Sequence, residues 1–172
     1  MPVGVAIRPY ERVDAEALFA AVRESIAELE PWMPWCHAGY SLDEAAAWIE
    51  QAQAGHRDGT MYDFAITVDG RFAGACGINQ INGLHRFANL GYWMRTSCAG
   101  RGSAPLAVRQ LLDWTFRNTN FNRIEIVAAV DNVRSQRVAE KVGAAREAVL
   151  AKRTMVRGEP ADAIMYAVLR ER

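Results

Sequence analysis

Asp69-Gly70 constrains this chain more than any other pair of its residues. Asp-Gly between two alternating apolar runs is a strong signal for a two-residue hairpin, because both turn positions need a positive φ. The pair makes Tyr62–Val68 and residues 71–79 antiparallel neighbours. A third strand, residues 88–94, follows the turn region at Asn82-Gly83. Any fold for the chain must therefore hold an antiparallel meander in its middle.

Helical and extended patterns alternate around that meander. Residues 3–8 read as a first strand ending before Pro9. Asp14 is placed to cap a helix running to about residue 27, with Ala15, Leu18, Phe19, Val22 and Ile26 on one face. Pro31-Trp32-Met33-Pro34-Trp35 forbids a continuous helix. Ser41 with Glu44 is a capping box that starts a second helix. Beyond the meander, Ala104, Ala107, Val108, Leu111, Leu112 and Thr115 recur at helical spacing, and Ile124, Ile126, Ala128 and Val130 alternate as a strand. Asp131-Asn132 opens a last helix that Gly143 closes. Two strands, 145–155 and 161–169, flank the turn at Arg157-Gly158. The order β-α-α-β-β-β-α-β-α-β-β implies an α/β fold, a mixed sheet with helices on both faces.

At 172 residues and 51% apolar, the chain fits one domain, residues 1–172, with no linker or repeat. Twenty basic residues balance 20 acidic ones, which argues against nucleic acid or an anionic membrane as the main partner. Cys36, Cys76 and Cys98 form no metal-binding spacing or disulfide framework, so no metal is expected. Glu11, Asp14 and Glu16 interrupt any signal peptide, and nowhere do 18 apolar residues run together. A cytoplasmic setting follows.

The chemistry concentrates where the third meander strand meets the next helix. Trp93-Met94-Arg95-Thr96-Ser97-Cys98-Ala99-Gly100-Arg101-Gly102-Ser103-Ala104 reads as strand, glycine turn and helix start. The first N–H groups of a helix lack internal partners and carry the positive end of the dipole, so the junction suits a pyrophosphate. Pro105 surrenders an N–H the first turn does not need. A plain tight turn explains Gly-x-Gly as well. The Rossmann fingerprint fails for want of a third glycine, and no Gly-Lys-Ser/Thr is present for a Walker loop.

Asp131-Asn132-Val133-Arg134-Ser135-Gln136-Arg137-Val138-Ala139-Glu140-Lys141-Val142-Gly143 resembles the second acetyl-CoA motif of the GNAT acetyltransferases. Gly100 and Gly102 match that family's first motif, with Ser97 where Gln or Arg is usual. Pro31-Trp32-Met33-Pro34-Trp35, Ala75-Cys76-Gly77-Ile78, Leu90-Gly91-Tyr92-Trp93-Met94 and Asp162 with Tyr166 narrow the likeness to the RimJ/RimL-like branch, associated with ribosomal proteins. The resemblance implies a strongly twisted sheet whose central strands splay around acetyl-CoA. It implies pantetheine pairing at Tyr92, Trp93 and Met94, pyrophosphate binding by Cys98, Ala99, Gly100, Arg101, Gly102 and Ser103, and a pantetheine contact from Asn132. Transfer would run directly from thioester to amine, without metal. The acceptor would be an N-terminal α-amine or a small amine, and a homodimer is compatible with the family.

Two usual catalytic positions are altered. Ala139 stands where many members carry a Tyr acid, and Asn89 stands where many carry a Glu base. For Ser135, one turn earlier, the resemblance implies a role in steadying the departing thiolate; otherwise it is a small residue chosen for packing. Asp63, Glu147 and Asp162 are the remaining candidates for a base, although such residues are more often solvated surface charges, and His37 and His85 stand in loops that border the cleft or are simply polar surface. Cys98 has no partner that would make it a nucleophile. Trp32 and Trp35 line an acceptor groove or cover the core. The substitutions at Asn89 and Ala139 leave a second reading open, a non-catalytic acyl-CoA-binding module.

Overall fold

Asp69 and Gly70 adopt φ of 50° and 77°, the left-handed pair a two-residue hairpin requires, and Arg157-Gly158 repeats it at 51° and 81°. These turns join strands in the computed structural model, which describes residues 4–171. Val3, assigned by the sequence to the first strand, lies outside the described residues. In chain order come β1 (Val5–Pro9), α1 (Ala15–Leu29), α2 (Leu42–Asp58), β2 (Tyr62–Val68), β3 (Arg71–Asn82) and β4 (Phe87–Met94). They are followed by α3 (Ser103–Asn118), β5 (Arg123–Ala129), α4 (Val133–Lys141), β6 (Ala145–Val156) and β7 (Glu159–Leu169). The element order is the expected one.

The seven strands form one sheet in the order β1-β2-β3-β4-β5-β7-β6. Every pairing is antiparallel except β4 with β5. That parallel pair is short. Only Phe87, Ala88 and Asn89 lie opposite Arg123, Ile124 and Glu125. β4 stays paired with β3 as far as Met94, and β5 with β7 as far as Ala129. The two central strands therefore part beyond Asn89, as the resemblance implies.

Each sheet face has its own core. Phe64, Ile66, Cys76, Ile78 and Leu90 pack against Ala107, Val108, Leu111 and Leu112 of α3 and Ala139 of α4. On the other face Ala65, Phe72 and Ala75 pack under Leu18, Ala21 and Val22 of α1 and Ala45, Ile49 and Ala52 of α2.

Three local expectations change. β1 includes Pro9, opposite Phe64; β1 is an edge strand, where a missing N–H is tolerated. Asp14 sits at the N-cap of α1 but does not cap it. Its carboxylate takes the Arg8 guanidinium at 2.6 and 2.7 Å and the Glu11 N–H at 2.8 Å instead. Val130 leaves β5, its N–H donating to the Asp162 carbonyl. The Ser41–Glu44 capping box forms as expected.

Candidate active site

Gly102 occupies the N-cap of α3 at φ 82°, and Gly100 stands at φ 75°, conformations that side chains with a Cβ rarely adopt. The N–H groups of Gly100, Arg101 and Gly102 have no acceptor among the described residues, and Ser103 follows as the first residue of α3. Cys98 and Ala99 differ. Their N–H groups already donate to the Arg95 and Thr96 carbonyls. The Ser97 N–H is committed to Glu24 at 2.8 Å, which also accepts from Arg95, while Thr96 donates its N–H to Ser25. The loop is thus pinned to α1, and its open donors face one stretch, Gly100 to Ser103.

The splay after Asn89 leaves the β5 side of residues 90–94 without a ladder partner. An extended amide-bearing ligand fits such an edge. Across the gap, Asn132 caps α4 by accepting from the Ser135 N–H at 3.1 Å. The Tyr92 hydroxyl reaches from β4 to Ser135, 2.7 Å from its carbonyl and 3.0 Å from its Oγ. Burial pushes the Tyr92 phenol up to about 12, so it stays protonated at neutral pH. Met94 packs on the α3 side and Trp93 on the α1/α2 side. Ala139 is fully buried in the core and offers no hydroxyl.

Asn89 is tied to its cross-strand neighbour, donating to Asn79 at 2.9 Å. It lies at the edge of a cavity of about 430 Å³ on the α1/α2 face, which Asn79 lines. Aromatic rings from Tyr10, Trp35, Tyr40, Trp48, Tyr92 and Trp93 make up much of the wall, and no Lys, Arg or His lines it. Trp35 stands 6.1 Å from Trp93 and 6.0 Å from Tyr40. Trp32 is not in the wall.

Asp63 corrects an expectation. It lines this cavity, and its Oδ2 is shut off from solvent with no hydrogen-bond partner among the described residues. Burial raises its pKa from the usual carboxylate range to about 7. Glu147 and Asp162 are surface groups as expected: Glu147 pairs with Arg123, and Asp162 accepts from the Lys152 N–H. His37 pairs with Glu44 at 2.7 Å on the exposed rim, and His85 is exposed. Among the described residues, no His or Asp bonds to the Cys98 thiol. Among the described residues, no group of three or more His, Cys, Asp or Glu is arranged to hold a metal, and no helix is long and apolar enough to cross a membrane.

Sequence reasoning missed Tyr10, Tyr40, Trp48 and the glycines of the wall, and it offers Asp63 only as one of three acidic candidates. A signal was present for Asp63. Alternation in Tyr62–Val68 sets it on one face with Ala65 and Thr67, in a strand too apolar to have a solvated side.

A family model described as an acetyltransferase (GNAT) domain matches residues 5–145. The putative ribosomal N-acetyltransferase YdaF of Bacillus subtilis is 26% identical over 96% of this chain and 91% of its own length. A solved structure of Mycobacterium smegmatis RimJ in complex with CoA-disulfide is 30% identical, covering 98% of this chain and 83% of its own, with a TM-score of 0.89. The self-immunity acetyltransferase MccE, solved with acetyl-CoA and AMP, matches at 22% identity and a TM-score of 0.90 over 96% of this chain and 92% of its own, a likeness of fold.

Proposed function

Because the chain belongs to the GNAT acetyltransferase family, we propose that it acetylates the N-terminal α-amine of a protein or peptide, with small primary amines as the next class of acceptor. It is an acetyl-CoA-dependent N-acetyltransferase. The name of YdaF, a putative ribosomal N-acetyltransferase, favours a ribosomal protein among acceptors of that kind. The proposal extends to action in the cytoplasm, as a homodimer, with residues 1–172 working as one catalytic domain.

The observation that carries the reading is the cavity under α1 and α2. It reaches β4 at Gly91, Tyr92 and Trp93, where the sheet has parted. Its wall suits a chain end that is apolar in body and cationic at its tip, since it carries aromatic rings and carboxylates but no Lys, Arg or His.

The residues present fit acetyl-CoA. The open N–H groups of Gly100, Arg101 and Gly102, with Ser103 at the start of α3, would hold the pyrophosphate. The unpaired edge at Tyr92, Trp93 and Met94 would take the pantetheine amides, with Asn132 positioning the start of α4 beside it. The bound thioester supplies an activated acetyl group. Backbone N–H groups of β4 would polarise its carbonyl, and the Ser135 hydroxyl would donate to the leaving sulfur. Cys98 and Ala99 would shape the loop rather than donate to phosphate. Asn89, held by Asn79, would order the floor of the cavity rather than move a proton.

Incubation with acetyl-CoA and three acceptor sets tests this: peptides with a free α-amine, N-terminally blocked lysine peptides, and small amines. Mass spectrometry should find one acetyl group on the α-amines first. Acetylation confined to lysine side chains, or to none of the sets, overturns it.

A further inference from the structure

We propose that Asp63 is a catalytic residue that receives the acceptor's ammonium group and takes its proton, in a subsite it shares with the Tyr10 hydroxyl. The proposal rests on reading the cavity as the acceptor's.

Three observations support it. First, three buried side-chain oxygens lack a hydrogen-bond partner among the described residues, and two of them, Asp63 Oδ2 and Tyr10 Oη, belong to residues lining this one cavity. Shielded acceptors without donors are costly to fold around and commonly mark a place where a ligand supplies the donors. An ammonium is a small group carrying three donors and charge of the right sign.

Second, room has been made for the carboxylate. Asp63 lies opposite Gly77 on β3, which lies opposite Gly91 on β4. A Cβ on Gly77 would fall 1.9 Å from Asp63 Oδ1. The carboxylate therefore rests on a bare stretch of β3, and the bare position on β4 comes next. With strands about 4.8 Å apart, the carboxylate stands roughly one strand spacing from the edge of β4. That separation suits an amine, alone or with one water.

Third, nothing else in the cavity can do the task. The other titratable residues that line the cavity are Tyr10 from the segment after β1, Tyr40 and Glu44 from the rim and α2, Cys76 from β3 and Tyr92 from β4. Tyr10, Tyr40, Cys76 and Tyr92 are all pushed up by burial and stay protonated at neutral pH. Glu44 is exposed and held low by its bonds to His37 and Ser41. Asp63, with its pKa raised to about 7, is poised to take a proton under working conditions.

The step balances. Asp63 accepts one proton from the ammonium. The neutral amine's lone pair forms the C–N bond to the acetyl carbon as the C–S bond breaks, and a second amine proton ends on the sulfur. Asp63 then returns its proton to solvent.

The test is Asp63→Asn, which keeps size and removes basicity. At pH 7, kcat/KM for an α-amine peptide should fall by about 10²- to 10⁴-fold, with acetyl-CoA affinity unchanged. The variant should melt no lower than the wild type, because it removes a shielded carboxylate oxygen without a partner. The pH profile separates a base from a structural group. In the wild type, the rising limb of kcat/KM should stay near pH 7 for an α-amine of pKa about 7.7–8.0 and for a side-chain amine of about 10.4. In Asp63→Asn the limb should move to each acceptor's own pKa, so the loss narrows as pH rises. Activity of Asp63→Asn within about threefold of wild type, or a wild-type limb that tracks the acceptor, overturns the assignment. A second measurement needs no variant. The Asp63 carboxyl carbon, followed by NMR in the wild type, should titrate at lower pH once acceptor peptide is added without acetyl donor, and an unmoved midpoint overturns the proposal. Failure of the wild type to acetylate any α-amine overturns the acceptor reading instead, which keeps the two failures distinct.

Discussion

The Tyr92 hydroxyl has one proton, and the Ser135 carbonyl 2.7 Å away can only accept it. The Ser135 Oγ at 3.0 Å must then be the donor in its own bond to Tyr92. At rest the serine proton is held by Tyr92, and it can turn to a departing sulfur with a small rotation of one side chain. Ser135→Ala should therefore lower kcat by about ten- to a hundredfold with little change in KM for acetyl-CoA. Tyr92→Phe should cost less, and the double variant should be no worse than Ser135→Ala alone, since the two act as one unit. Single-turnover kinetics, where chemistry limits the rate, is the measurement; a kcat unchanged in Ser135→Ala leaves that residue only its packing. Ser135 could be found in the sequence because it belongs to an ordered run from Asn132 to Gly143. Asp63 could not be placed so directly. Extending the hairpin register from Val68 opposite Arg71 sets Asp63 against Cys76, but a bulge at Ile66/Thr67 moves it to Gly77. One extra residue decides whether the carboxylate meets a side chain or open backbone.

Helix starts show which elements sequence alone resolves. The Ser41–Glu44 box is local, with all its partners within three residues, and it forms as read. Asp14 has the right residue type in the right place, yet Arg8 on β1 draws its carboxylate away from α1. Competition from residues just before the helix leaves no trace in the helix's own sequence. At α3 the start signal is instead a glycine in the left-handed region, and no heavy atom lies within 4 Å of where a Gly102 Cβ would stand. That open space allows a clean test. Asn tolerates a positive φ better than most residues, so Gly102→Asn should fold with a melting temperature close to the wild type. Its side chain would stand where the pyrophosphate is proposed to lie, and calorimetry should show acetyl-CoA affinity reduced by about tenfold or more. Undiminished affinity in the folded variant would move the phosphates elsewhere.

At the scale of the whole molecule, the sequence dictates the order of elements but not where the sheet fails to pair. The β4–β5 ladder stops after three residues, and the residues that follow it on the two strands, 90–94 and 126–129, include no proline or charge that would announce it. The cause is the diverging twist of strands anchored to different neighbours, β4 to β3 and β5 to β7. Acetyl-CoA, by filling that gap, should slow hydrogen exchange of amides in residues 90–94 more than in β1 or β6; equal slowing throughout would mean general stabilisation rather than a filled edge. The split also separates the routes to the reaction. The cavity opens beneath α1 and α2, whereas the gap is bordered by α4 and its Tyr92–Ser135 link. Two reactants arriving by separate entrances do not exclude each other. Initial velocities should then give intersecting double-reciprocal lines, and a thioether analogue of the donor should compete with acetyl-CoA while leaving the acceptor free to bind. Order of addition becomes a matter of affinity and not of architecture.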